Sequence, residues 1–421
     1  MRVLLTCFPA TSHIYNLVPL GWALVDAGHE VRFATHPDGV DKVVDAGILV
    51  HAVGRPLDLH GFMHADFTQA GRPHDISESA ETLLTPEYVL GVFTWYTAAF
   101  LHNVADDAVL DDIVAFARQW QPDVVIWDAL TFSGLVAARA VGATSIRVLF
   151  GLDHMVRMRH RHLRNGPPGD DPFREWLSGV LADFGLNYDE RTVWGDRTID
   201  PMPGWMRLRT DVDYLPVRLL PYNGGSVVPT WIDARPRVPR VCLTLGLSGR
   251  EMWGVDDVTI ADVLRAVAAL DVEVVATLSA EQTRLLGDVP DNVVLTDFVS
   301  LGALLPSCSA IVHHGGAGTM RNALVHGTPQ LIIPDEIWDP AQIADGVQRI
   351  GAGLRCDPGD VTEAALRRAV ARLIEDPAFR VGAARARQEW LATPGADDLV
   401  DSLCRLAAER EGPVLGQWPC V

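Results

Sequence analysis

Two adjacent histidines followed by a turn of small residues, V-H-H-G-G-A-G-T-M over Val312–Met320, carry the strongest chemical signal in this chain. An apolar run (Ala310–Val312) leads into the histidines, and a helix-compatible stretch (Thr319–His326) follows them. The pattern is a strand feeding a helix N-terminus through a glycine-rich turn. Backbone N–H groups in such a turn can approach a diphosphate, and the helix dipole favours its negative charge. His313, the Thr319 hydroxyl or both would complete the charge. The turn lacks the Gly-Lys-Ser/Thr ending of a nucleoside-triphosphate loop, and it is not G-x-G-x-x-G. A second pair stands near the start of the chain. His13 follows the first apolar strand, and Asp128 ends the apolar run Val124–Trp127. Imidazole is the side chain best suited to general-base work near neutral pH. The plainer readings are a histidine at a helix start and an aspartate capping a helix that begins near Thr131.

The elements that must hold these residues are short buried strands alternating with helices. Val3–Cys7, Val31–Thr35, Leu49–Val53, Val124–Trp127 and Ile146–Phe150 read as strands of a first half. A helix over Leu17–Ala27 ends at Gly28. Such unbroken apolar runs suit parallel strands covered on both faces. The alternation restarts at Arg240, with strands expected at Val241–Leu245, Val272–Thr277, Val293–Leu295, Ala310–His313 and Gln330–Ile333. The expected organisation is a Rossmann-like domain over 1–215, a linker over 216–239, a second Rossmann-like domain over 240–395, and a C-terminal helix (396–421) packing back on the first. Gly54–Thr85 is polar and aperiodic, long for a compact-domain loop. Residues 55–100 and 131–165 follow carboxyl ends of first-half strands and are expected to shape an acceptor pocket. The basic run Arg157–Arg164 reads as a solvated helix face, a partner surface or a guard of that pocket.

Composition excludes several classes. The chain has 421 residues and a net charge of −19, which argues against nucleic acid or an anionic membrane as partner. No run approaches the ~20 apolar residues of a membrane span. The N-terminus reads as a strand rather than a signal peptide. The six cysteines are scattered with no metal spacing, which points to a reducing, cytoplasmic setting.

Read as a whole, the chain resembles inverting glycosyltransferases of the two-Rossmann (GT-B) type, an α/β fold of two doubly wound domains facing a cleft. More narrowly it resembles the actinobacterial enzymes that put deoxysugars on macrolides and anthracyclines, the desosaminyl-type transferases. The resemblance rests on S-H-I-Y-N-L-V-P-L (Ser12–Leu20), W-Q-P-D-V-V-I-W-D-A-L-T-F (Trp120–Phe132), P-Y-N-G-G-S-V-V-P-T-W (Pro221–Trp231), R-V-C-L-T-L-G (Arg240–Gly246), D-F-V-S-L-G-A-L-L-P (Asp297–Pro306) and H-H-G-G-A-G-T. It implies that His13 is the base that deprotonates the acceptor hydroxyl and that Asp128 orients it. It implies that His313 contacts the donor diphosphate, with Gly316, Ala317, Gly318 and Thr319 as an amide cradle. Gly246 and Ser248 would face the phosphates, and Phe298 and Val299 would hold the nucleotide base; a strand-end core Phe is the plainer alternative for Phe298. The wider family often carries an Asp-Gln pair that holds sugar hydroxyls. Here Asp339 matches the acid, Pro340 replaces the glutamine, and Trp338 would offer an apolar face, a departure that suits a deoxysugar. The implied partners are a dTDP-deoxysugar, a polyketide aglycone, an auxiliary activator protein related to cytochrome mono-oxygenases and a second copy in a homodimer. No cofactor and no metal are expected. A nucleotide-sugar 2-epimerase or a non-catalytic sugar-nucleotide-binding helper are the alternatives on this fold; His13 speaks against the first, and the presence of both His13 and Asp128 against the second.

Overall fold

The computed structural model describes residues 1–59, 61, 75–167, 169–244, 257–286, 288–335 and 338–410. The short apolar runs form two parallel sheets. In the first, β1 (Arg2–Thr6), β2 (Glu30–Thr35), β3 (Val50–Ala52), β4 (Val124–Asp128), β5 (Thr144–Val148), β6 (Arg197–Asp200) and β7 (Tyr214–Pro216) lie in the order β3-β2-β1-β4-β5-β6-β7. In the second, β8 (Arg240–Thr244), β9 (Glu273–Thr277), β10 (Val293–Thr296), β11 (Ala310–His313), β12 (Gln330–Ile332) and β13 (Gly353–Arg355) lie in the order β10-β9-β8-β11-β12-β13. Every residue of β4, β5 and β8 is buried, as expected for strands covered on both faces.

In both sheets the order reverses beside the first strand, between β1 and β4 and between β8 and β11. A doubly wound sheet binds its ligands in the crevice at that reversal, outside the carboxyl ends of the strands. The loops after β1 and β4 therefore flank one crevice, and the loop after β11 flanks the other.

Three strands were not expected. β6 (R-T-I-D) and β13 (G-L-R) carry charges in place of an apolar run, and β7 is three residues at a sheet edge. Their place in the sheet comes from pairing with β5, β6 and β12, which periodicity does not report. Helix α1 (Thr11–Asp26) begins well before the expected Leu17, so His13 stands in its first turn.

Helix α15 (Ala396–Arg410), the last helix among the described residues, returns to the first half. Its Leu399, Val400 and Leu403 are buried with Leu17 and Leu24 of α1 and with strand residues Val3, Leu5, Val124 and Ile146. The chain thus crosses between halves twice. The two crossings touch, since Arg218 N–H donates to Pro394 O at 2.7 Å and Arg218 bridges Gly395.

Candidate active site

The first half builds a buried His–Asp pair. β4 ends at Asp128, and the first turn of α1 carries His13 to it. His13 Nδ1 lies 2.7 Å from Asp128 Oδ2, and both side chains are buried. A carboxylate only accepts, so Nδ1 carries the proton and Nε2 is left as the basic atom. The His13 ring packs between Phe8 (centroids 5.2 Å apart) and Phe150 (4.3 Å). Asp128 does not cap the following helix α5 (Phe132–Val141), whose N-cap is Thr131. Its second oxygen, Oδ1, accepts Leu130 N–H at 2.9 Å, so one carboxylate closes its own loop and orients the histidine.

The second half offers a helix N-terminus. After β11, Gly315 takes φ +96°, a left-handed conformation that favours glycine, and Gly316 precedes helix α11 (Ala317–His326). A Cβ at Gly315 would also stand 2.8 Å from Pro340 Cβ, so the turn and the proline fit together only with glycine there. The helix has no side-chain cap, which leaves its first N–H groups without an intrahelical partner. A Cβ at Gly318 would meet nothing within 4 Å, so there is open space beside this turn. These amides and the dipole behind them suit an anion.

His313 is engaged within the protein on both ring nitrogens. Its ring is buried; Gly315 N–H donates to Nδ1 at 3.1 Å, which places the proton on Nε2, and Nε2–H donates to Gln330 Oε1 at 2.9 Å. Burial lowers its pKa to about 3, so it is neutral at pH 7. The ring is thus held between the glycine turn and Gln330. The neighbouring His314 is the residue the sequence reading passed over. Its ring lies over Gly316, and its buried Nδ1 has no partner. The doubled histidine was the available signal, but it could not say which ring turns inward. Phe298 follows β10 and is 36% exposed, open to stacking rather than part of the core, while Val299 is buried. Gly246 and Ser248 lie outside the described residues.

Trp338 and Asp339 come from the second half and are engaged with the first. Trp338 adopts φ +67°, rare for a bulky residue. Its ring meets Phe150 (5.6 Å), Tyr96 (6.3 Å) and Phe100 (6.3 Å), each near-perpendicular. Tyr96 and Phe100 are brought into line by a π-helical stretch, Tyr96–Leu101. Asp339 Oδ2 accepts Leu152 N–H at 2.8 Å, and burial raises its carboxyl above the usual range. In this arrangement Trp338 packs on the Phe150 ring beside His13, and one oxygen of the Asp339 carboxylate accepts from the first-half backbone.

The family described as erythromycin biosynthesis protein CIII-like matches residues 22–246 with its N-terminal domain and residues 261–406 with its C-terminal domain. The chain belongs to that family. Among relatives, it is 44% identical to the aclacinomycin-T 2-deoxy-L-fucose transferase of Streptomyces galilaeus, with 97% of each chain covered. It is 42% identical to the 10-deoxymethynolide desosaminyltransferase of Streptomyces venezuelae, covering 98% of this chain and 99% of that one. Among solved structures, the glycosyltransferase VinC in complex with dTDP superimposes with a TM-score of 0.88 at 44% identity, covering 97% of this chain and all of that one. The fold is GT-B, and the protein is a glycosyltransferase. Transferase relatives favour transfer over epimerisation or a helper role.

Within this CIII-like glycosyltransferase the basic run is not a free patch. It lies on helix α6 (His154–Asn165), where Arg157 donates to Ile76 O and Glu78 O, and Arg161 donates to Leu84 O and Glu81. Arg159 is buried against Asp171 and Glu190. Arg157 and Arg161 staple the 76–84 segment to this helix; charge density alone could not distinguish that from a solvated face. Most of the Gly54–Thr85 loop, including His60, Phe62 and Phe67, lies outside the described residues. Among the described residues no group of three or more His, Cys, Asp or Glu side chains could hold a metal ion, and no helix is long and apolar enough to cross a membrane.

Proposed function

We propose that this enzyme moves a deoxysugar from a dTDP-sugar to a hydroxyl of a polyketide aglycone, with inversion and without a metal. One observation carries the reading: a buried His13–Asp128 pair at the carboxyl edge of the first sheet, in a fold whose second sheet presents an uncapped helix N-terminus at its own carboxyl edge. The acceptor hydroxyl gives its proton to His13 Nε2. Its oxygen bonds to the anomeric carbon from the face opposite the diphosphate as the bond from that carbon to the phosphate oxygen breaks. The departing dTDP keeps the electron pair, and the amides of Ala317, Gly318 and Thr319 stabilise its charge. The aromatic surroundings of the base (Phe8, Phe100, Phe150, Tyr96) suit an apolar acceptor. The five described cysteines are free thiols, which supports a cytoplasmic setting.

The test is a mass-spectrometric screen of a panel of dTDP-deoxysugars against macrolide and anthracycline aglycones, run with and without a helper related to cytochrome mono-oxygenases. A product heavier by one deoxysugar, with the opposite anomeric configuration to the donor, is expected. Hydrolysis or epimerisation of the donor with no glycoside formed in any combination would overturn the reading.

A further inference from the structure

Arg321 stands in the second turn of α11, the helix whose N-terminus faces the leaving group in the reading above. Its side chain is buried (5% exposed), and no carboxylate among the described residues forms an ion pair with it. Its Nη2–H instead donates to Asn16 Oδ1 at 2.7 Å, a buried contact between residues 305 positions apart in the two halves. Asn16 lies on α1 one turn beyond His13. Its Nδ2–H donates to Leu149 O at 3.0 Å. The next residue, Phe150, is the ring packed on His13 at 4.3 Å. Both ends of one amide are therefore used: one on the donor-side helix, the other on the backbone that holds Phe150 against the base.

We propose that Arg321 and Asn16 are positioning residues that lock the helix carrying the base to the helix receiving the diphosphate, so that His13 is set for proton transfer when the two halves are joined around the donor. Physical chemistry favours coupling rather than a passive contact. A buried cation is costly unless paired, and the one carboxylate among the described residues whose charge reaches Arg321, Asp200, is itself held in an ion pair with Arg207. A diphosphate arriving at the N-terminus of the same helix supplies negative charge about one turn away, which favours the buried guanidinium and with it the link to Asn16. Burial lowers the Arg321 pKa to about 10, which leaves it charged at pH 7.

The inference rests on the transfer reading, and its test separates the two. In single-turnover reactions saturated with donor and acceptor, Arg321→Met and Asn16→Leu should each slow transfer by roughly 10- to 100-fold, the scale of a misplaced reacting group, and weaken dTDP by a smaller factor, about three- to fivefold, because a coupling that lets dTDP tighten the link acts in both directions. The double variant should be no slower than the worse single variant, since both break one link. Arg321→Lys keeps a charged donor and should recover part of the rate. A second readout is hydrogen exchange across residues 11–20: dTDP should slow it in the parent and not in Arg321→Met. Additive losses, or a dTDP dissociation constant that rises as much as the rate falls, would overturn the link and make Arg321 a direct diphosphate contact. An equal dTDP effect on exchange in parent and variant would overturn it as well. If the parent transfers to no acceptor, the transfer reading fails while the exchange measurement still decides the link.

Discussion

Replacing Asp128 with asparagine gives the sharpest reading of the base. The carboxylate accepts at both oxygens, from Leu130 N–H at 2.9 Å and from His13 Nδ1–H at 2.7 Å. An amide has one accepting oxygen and a donating nitrogen. If the oxygen keeps Leu130, the NH2 group faces Nδ1, and His13 satisfies that contact only by moving its proton to Nε2. Nε2 is the atom that must take the acceptor's proton, so the base is switched off. If the oxygen turns to His13, the NH2 group opposes Leu130 N–H, and a buried donor left unsatisfied costs on the order of 1–3 kcal/mol. The first arrangement is easier on the fold and should dominate. Transfer should then fall by about 10³–10⁴, the scale seen when the orienting aspartate of a Ser-His-Asp triad is replaced and the histidine takes the wrong tautomer. His13→Ala, which deletes the base, should lose about 10²–10⁴, so the two variants fall in the same range. The assay is rapid-quench single turnover with donor and acceptor saturating, with calorimetric dTDP affinity, expected unchanged, as the control. An Asp128→Asn enzyme transferring at close to the parent rate would show that the carboxylate serves Leu130 alone, and the mechanism drawn around the pair would be wrong.

Phe298→Ala should weaken dTDP binding by roughly 1–3 kcal/mol, the worth of one base–aromatic stack; unchanged calorimetric affinity in a folded variant would remove Phe298 from the base site. Transfer should persist in chelator, and activity lost in chelator and restored by magnesium would contradict a leaving group held by helix amides. His154 and His313 are both held neutral down to about pH 3 by burial. The unfolded chain takes up these protons below about pH 6.5 and the native state does not, so their stabilisation is complete above 6.5 and drains as pH falls toward 3, by about 1.4 kcal/mol per pH unit per group. Neither ring nitrogen of His154 has a hydrogen-bond partner among the described residues, so His154→Leu should raise stability and flatten its pH dependence by one proton across that window. Urea melts at several pH values measure this, and an unchanged slope would mean that His154 protonates in the native state.

Much of this architecture could be read from short apolar runs, because a strand buried on both faces must be apolar along its length. β11 starts at Ala310 and ends at His313 as expected, and β1, β2, β4 and β8 shift by a residue or two. The strands that escaped, β6, β7 and β13, are defined by neighbours rather than by hydropathy. At the site, His13 and Asp128 stood out because both follow strands whose carboxyl ends must share a crevice. The burial of the His313 ring against Gln330 did not follow, because two adjacent histidines at a strand end point to opposite sides and the pattern cannot say which is inside. Trp338 and Asp339 were visible as chemistry, but their engagement with Leu152 and the Tyr96–Phe100 wall is a contact between halves, set by closure of the whole molecule.

The paired crossings between the halves have a practical meaning for anyone recombining such enzymes. The last helix shares a core with the first half, although the chain leaves it and returns; Leu399, Val400 and Leu403 complete a core begun by Val3, Leu17 and Leu24 and continued by Val217 and Leu219. A chimera made with a single cut within 220–239 would give one parent's first half a final helix fitted to another parent's core. Exchanging the donor half cleanly takes two cuts, one on each side of the Arg218–Pro394 contact, with the last helix kept beside the strands it was built to cover.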